Sequence, residues 1–346
     1  MNAHPSDSAG RGKALYVIAG LAGLIALTMS FAPVWDNVRQ GLNDFPAFYV
    51  APRMLATGDL YHPAAFLAKE KEVVGRTNKS IVFIRFPYVA VLLAPLSRLP
   101  FSVAYAVWQA LSLAALGVFA WLWPARRPIA YVICCWYPPV AANFSNAQDV
   151  AFLLLWLALA VWLADRDREF GAGLVLSLCA AKPHLFLFLP VVIIGRRMWK
   201  VSAGLAAGSA ILLAVSFLAA GTGWPAEFLQ AIRDPVVHPG IGKVSLVGFA
   251  GGIVQGPALG ILVGVLILFL GTIVYRIARR RSFAMALAVG VAAGPVVAFH
   301  VYIQDYLLAL PLVLILAGKA VERRPTVTVP SAHNISQHPG SHVLDR

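Results

Sequence analysis

Long apolar runs alternate with short polar interruptions from one end of the chain to the other. The run at residues 14–34 holds no charged side chain, and about 20 such residues span the hydrocarbon core of a bilayer as a helix. Further runs at 103–123, 128–142, 150–164, 170–181, 185–195, 201–221, 257–275, 283–299 and 306–320 predict more helices. Those around Val132, Val175 and Val191 are shorter than the roughly 17 residues a full crossing takes, so they are expected half-buried against neighbours or in a locally thinned site. The pattern reads as an all-α polytopic membrane protein with about ten transmembrane helices.

Composition supports this reading. The chain is 60% hydrophobic and 12% charged, whereas a soluble domain carries about 25% charged residues. The first apolar run lacks a small-residue cleavage site after a short core, so it reads as a retained helix and not a removed leader. Cys134 and Cys135 are adjacent and Cys179 stands apart, which gives neither metal-ligand spacing nor a disulfide framework.

The net charge of +13 is distributed in a way that argues against nucleic acid as a partner. Basic residues cluster between the apolar runs, at Arg11/Lys13, Arg126/Arg127, Arg166/Arg168, Arg196/Arg197/Lys200, Arg276/Arg279/Arg280/Arg281 and Lys319/Arg323/Arg324. Cytoplasmic loops collect such residues. If all six clusters are inside, each intervening stretch is a hairpin turning on the outer side and both termini are inside. A second scheme makes 170–195 one crossing and 81–98 another; it breaks the charge rule and ranks below the first.

Three regions follow: a cytoplasmic tail at 1–13, a membrane body at 14–324, and a Pro-, Ser-, Thr- and His-rich tail at 325–346 expected to be disordered. Within the body, 35–100 forms a long first outer loop with two or three short helices, of which Phe86 to Leu96 is apolar enough to lie in the interface.

Sorted by this topology, the polar residues gather on the outer side. Ionisable groups at membrane depth are costly and usually face a cavity, so each is a functional candidate. Asp44 opens a string running to Ala51; its carboxylate suits a general base on a hydroxyl and equally a helix N-cap ahead of Pro46. In Lys182-Pro183-His184 an ammonium could meet an anionic phosphate, or simply snorkel to the interface. The turn Asn143 to Asp149, with Asn146 and Gln148, offers amides for sugar hydroxyls or forms an ordinary polar loop. His300 and Asp305 could relay protons, or belong to an aromatic belt with a capped helix. Arg53, Arg85, His238 and Lys243 read most simply as solvated loop charges.

An ordered set of strings resembles glycosyltransferase family 87, membrane enzymes of the GT-C fold. It comprises Asp44 with Phe48-Tyr49-Val50-Ala51, Gly58-Asp59-Leu60-Tyr61, Phe86-Pro87-Tyr88 through Pro95-Leu96 and Leu99-Pro100, and Trp108-Gln109-Ala110-Leu111. Asn146-Ala147-Gln148 follows, where the family usually has Asn-Gly-Gln, then Ala172-Gly173-Leu174 to Lys182-Pro183, Arg196 to Lys200, Ser245 to Gly248, and His300 to Tyr306. The likeness covers roughly residues 14–320. Pro87-Tyr88 inverts the family's usual order, and Val301 stands where a tyrosine often follows the histidine.

The resemblance implies a GT-C-like fold in the bacterial plasma membrane, with a site facing the extracytoplasmic side. It implies a polyprenyl-phosphate sugar, commonly mannose, as donor and substrate, a lipid or glycan acceptor, membrane lipid around the protein, inversion at the anomeric carbon and no further cofactor. It makes Asp44 the base. Tyr49, Arg53, Asn146, Gln148, Lys182, His184, His300 and Asp305 become substrate-binding residues, with Lys182, joined by His300 or Arg53, stabilising the leaving phosphate. No metal-ligand cluster is evident in the sequence. Two rivals stand beside this reading: a proton-coupled transporter using His184, His300 and Asp305, and an inactive membrane scaffold. The absence of a clear internal repeat counts against the transporter.

Overall fold

The computed structural model describes residues 5–75, 82–125, 127–233 and 244–322. The tail at 325–346 and the loop residues His238 and Lys243 lie outside them. Among the described residues the secondary structure is helical and no strand occurs. In chain order come α1 (Pro5–Ser30), α2 (Trp35–Gln40), α3 (Phe45–Leu55), α4 (Pro63–Val74), α5 (Pro87–Ser97) and α6 (Phe101–Leu122). Then follow α7 (Arg127–Trp136), α8 (Pro138–Ser145), α9 (Val150–Ala164), α10 (Glu169–Ser177), α11 (Leu189–Arg196) and α12 (Trp199–Ala220). The chain ends with α13 (Trp224–Ala231), α14 (Leu246–Gly251), α15 (Pro257–Arg280), α16 (Phe283–Val297) and α17 (Leu310–Glu322).

Five segments are long and apolar enough to cross a membrane: Ala14–Leu55, Phe101–Leu122, Trp199–Ala220, Pro257–Arg280 and Ile303–Ala320. Shorter apolar helices fill the space between them, and the chain is a polytopic all-helical membrane protein. Large apolar side chains such as Leu218, Leu268 and Phe269 point outward from α12 and α15, as lipid-facing helices require.

Several expectations are corrected. The helix foreseen at 128–142 is two helices, because Pro138 supplies no backbone N–H and disfavours helix at the residue before it. Tyr137 accordingly sits extended at φ −87°, ψ 109°. The first helix starts at Pro5, ahead of residue 14. The segment 35–100, foreseen as an outer loop, carries α2, α3, α4 and α5, more than the two or three short helices foreseen. The segment expected in the interface, α5, is packed inside against α3 and α12. Its Ala90 and Leu93 are buried, and the Tyr88 amide donates to Ser216 Oγ at 3.2 Å.

Packing also tests one element of the second topology, the single crossing at 170–195. Glycines let α10 and α12 touch backbone to backbone: a Cβ on Gly204 would lie 2.0 Å from the Phe170 oxygen, and one on Gly208 would lie 2.3 Å from Ser177 Oγ. Rising numbers on α10 thus meet rising numbers on α12, so the two helices run parallel. The chain must reverse between them, which makes 170–195 a hairpin and excludes the single crossing. At the far end the Arg196 guanidinium donates to the Arg281 carbonyl, so two of the basic clusters share one end of the bundle.

In the first loop, Glu70 on α4 is 2% exposed and its Oε2 has no hydrogen-bond partner among the described residues. Burial pushes its carboxyl up from 4.5 to about 7. The folded state therefore holds a proton that the unfolded chain has released, and stability falls as pH rises from 4.5 to about 7. In thermal melts across that range, Glu70→Gln flattens the fall; an unchanged slope would contradict this.

Candidate functional site

The site begins with a break. Residues 170–195 are interrupted by two short 3-10 turns, Leu178–Ala181 and Pro183–Phe186, with Lys182 between them at φ −137°, ψ 67°. Pro183 accounts for the break, since the residue before proline is pushed out of the helical region. A Cβ on Gly294 would lie 1.9 Å from the Leu185 oxygen, so α16 seats the second turn closely. Lys182 does not snorkel: it is 4% exposed and points inward.

Its ammonium gathers three chain segments. Lys182 Nζ lies 2.7 Å from Asp305 Oδ1, 3.2 Å from Asp149 Oδ1 and 3.0 Å from Gln148 Oε1. An ammonium only donates, so Gln148 must turn its oxygen to Lys182 and its amide nitrogen the other way. That nitrogen donates to Asp44 Oδ2 at 2.5 Å. One line of contacts thus joins the start of α3, the 143–149 turn, the break in the hairpin and the 300–305 turn.

Asp44 is half-buried at the start of α3, yet its side chain makes no cap bond. Asn43 takes the local role, its Oδ1 accepting from the Phe45 amide at 3.1 Å. Of the two uses open to Asp44, capping is the one the geometry does not adopt. Asp305 combines its alternatives: Oδ2 accepts from the Tyr302 amide at 3.0 Å, while Oδ1 faces Lys182. Its charge partner is the lysine, not His300.

Arg85 and Asp149 complete the floor. Arg85 Nε donates to Asp149 Oδ2 at 3.1 Å, and both side chains are largely buried. Burial alone would raise the Asp149 carboxyl, but Arg85 and Lys182 against it outweigh burial and hold it well below the usual carboxylate range. Burial likewise opposes the Arg85 charge, and Asp149 overcomes it, raising the guanidinium further. Neither residue was given a role from sequence. The signal was there in Arg85, a charge set between the apolar Ile84 and Phe86, where an ionisable group needs a named partner.

His184 is exposed and His300 half-buried, with ring centroids 6.4 Å apart. Tyr302 stands edge-on to His300 at 5.0 Å. These rings form the mouth above the buried floor. Asn146 Nδ2 reaches Gln304 Oε1 at 3.4 Å, and the Asn146 carbonyl accepts from the Asp44 amide at 3.3 Å.

Two foreseen members are placed elsewhere. The Tyr49 hydroxyl donates to the Leu99 carbonyl at 2.6 Å. Arg53 lies over the Tyr49 ring at 4.3 Å and donates to the Tyr49 and Ser97 carbonyls. Both residues tie α3 to the end of α5, and the arginine paired within the cluster is Arg85. Among the described residues no group of three or more His, Cys, Asp or Glu is placed to hold a metal ion.

The 143–149 turn is held from behind by α6. Trp108 Nε1 donates to the Ala147 carbonyl and Gln109 Nε2 to the Phe144 carbonyl, each at 2.9 Å. Ala147 itself has φ +51°, in the left-handed region that glycine tolerates and alanine resists. The resemblance noted glycine as usual at this position, and the backbone explains why. Ala147→Gly is expected to raise stability by about 1 kcal/mol by relieving that strain; a lower melting midpoint would contradict it.

The family model for glycosyltransferase family 87 matches residues 83–318. That span contains Arg85, the 143–149 turn, Lys182 and the 300–305 turn, and it begins after Asp44. No curated protein and no solved structure matches the chain.

Proposed function

Because the chain belongs to glycosyltransferase family 87 and is by that membership a membrane glycosyltransferase, we propose that it moves a hexose, mannose in the simplest case, from a polyprenyl-phosphate donor to a lipid or glycan acceptor. The reaction runs on the extracytoplasmic side of a bacterial plasma membrane, in one displacement that inverts the anomeric carbon. The observation that carries this reading is the half-buried Asp44 carboxylate, held by Gln148 at 2.5 Å and through it by Lys182.

In the proposed step the acceptor oxygen bonds to the anomeric carbon while its proton passes to Asp44. The bond from that carbon to the phosphate oxygen breaks, and its electron pair leaves with the polyprenyl phosphate. A phosphate leaving group needs charge stabilisation more than protonation. Lys182 is already bound to two carboxylates and one amide, so its first task is to fix Gln148, and with it Asp44. His184 and His300 at the mouth are the groups set to meet phosphate oxygens, with the fields of Lys182 and Arg85 behind them.

The test is stereochemical. Product made from a donor of known anomeric configuration, resolved by NMR, carries the opposite configuration. Retention would overturn the single displacement and the role of Asp44 as base.

A further inference from the structure

The last turns of α11 and α15, remote from the break at Lys182, meet in a patch of cations. Arg196 Nη1 donates to the carbonyls of Ala278 and Arg281, which clamps one helix end to the other. A Cβ on Gly195 would lie 2.8 Å from Ala278 Cβ, so the two helices touch closely here. Around this clamp Arg197, Lys200, Arg276, Arg279, Arg280 and Arg281 are exposed. Among the described residues none of them pairs with a carboxylate. Arg197 closes α11 at φ +57°, ψ 36°, a left-handed position usually taken by glycine.

The neighbouring basic cluster is built differently. The close approach of Gly204 to Phe170 sets the start of α10 beside the first turns of α12, and there Arg166 and Arg168 alternate with Asp165, Asp167 and Glu169. Those charges balance one another locally. The chain has no acidic residue between Glu169 and Glu227, nor between Asp234 and Asp305, so the cations of α11, α12 and α15 have no such neighbours in sequence. Orienting helices in a membrane calls for cations near their ends, but not for two such ends clamped together around one uncompensated patch.

The patch also continues a lipid-facing stripe. On α15, Val265, Leu268, Phe269 and Thr272 are exposed, and Arg276, Arg279 and Arg280 follow at the three- and four-residue spacing that keeps side chains on one helix face. Exposed Tyr275 and Trp199 precede Arg276 and Lys200, and such aromatic side chains collect at the headgroup layer. An amphiphile whose tail lies along Leu268 and Phe269 therefore carries its headgroup into the cations. We propose that this end of the bundle binds an anionic phospholipid of the bilayer through its headgroup phosphate. Guanidinium groups match phosphate oxygens in pairs, and clustered basic residues at a membrane surface attract anionic headgroups. The apolar stripe beside them selects a lipid over a soluble anion. This site is independent of the transfer reading and of Asp44.

The test is a titration of the purified full chain in detergent, read by native mass spectrometry, with phosphatidylglycerol or phosphatidylcholine of identical tails. Phosphatidylglycerol is expected to bind at least tenfold more tightly, with an advantage that shrinks as salt is added. The triple variant Arg276→Gln, Arg279→Gln, Arg280→Gln should abolish the advantage, and lysine at the same three positions should restore part of it. Arg166→Gln with Arg168→Gln should leave it intact. Equal binding of the two lipids, or a preference that survives the triple glutamine variant, would overturn the proposal. Loss in the lysine variant as well would overturn it too, by showing that the substitutions act through something other than charge. Glycerol phosphate, the headgroup anion without tails, supplies the remaining arm: if it displaces phosphatidylglycerol at equal concentration, the patch belongs to a soluble anion and the lipid assignment fails.

Discussion

Asp44→Asn is expected to fold as the wild type does and to transfer sugar about a hundred- to ten-thousandfold more slowly, the usual contribution of one positioned general base. The side chain keeps its size and its place above Gln148, while the group that takes the acceptor proton is gone. Asp44 is half-buried and makes no helix-cap bond, and its structural contribution includes the contact with Gln148. A hydrogen bond to a charged group contributes about 1.5–3 kcal/mol, so a modest fall in melting midpoint accompanies the loss of rate. A residue acting only as a cap would behave differently, because asparagine caps a helix about as well as aspartate, so the substitution would then spare both stability and rate. Transfer at the wild-type rate by Asp44→Asn would therefore remove the base from the account.

Lys182→Met is expected to be the most destabilising single change, by about 3–5 kcal/mol. The ammonium stands between Asp149 and Asp305, whose side chains are 10% and 4% exposed. Without it, Arg85 still answers Asp149, but Asp305 is left as a buried charge with only a backbone amide to meet it. The double variant Lys182→Met with Asp305→Asn should recover part of the loss, since removing both partners costs less than stranding one. Protonating the stranded carboxylates has the same effect, so the deficit shrinks as pH falls. Thermal melts of the two variants against pH measure both effects. A deficit below about 1 kcal/mol would mean that the pair is as lightly coupled as an exposed one.

Much of the helical plan was legible because membrane helices are written as runs of apolar residues. The reversal within 170–195 followed from the charge clusters, and the parallel contact of α10 with α12 through Gly204 and Gly208 bears it out. The break at Tyr137 was missed even though Pro138-Pro139 announced it, because an apolar run hides the loss of one backbone donor. The four polar turns were singled out from sequence, but not their connections. Sequence offered Asp44 as base or cap, Asp305 as relay or cap, and Lys182 as phosphate ligand or snorkel. Geometry alone could set Lys182 between Asp149, Asp305 and Gln148. Arg53 entered the expected site only through the family resemblance. It stands one turn after Tyr49 and folds back onto the Tyr49 carbonyl and ring.

The most direct measurement is transfer of radiolabelled mannose by the purified chain, offered polyprenyl-phosphate mannose in one arm and a nucleotide-linked mannose in the other, with a membrane lipid extract as acceptor. The account predicts label in product from the polyprenyl donor alone, and none with Asp44→Asn. Transfer from the nucleotide donor, or no transfer from any polyprenyl-phosphate sugar, would contradict it.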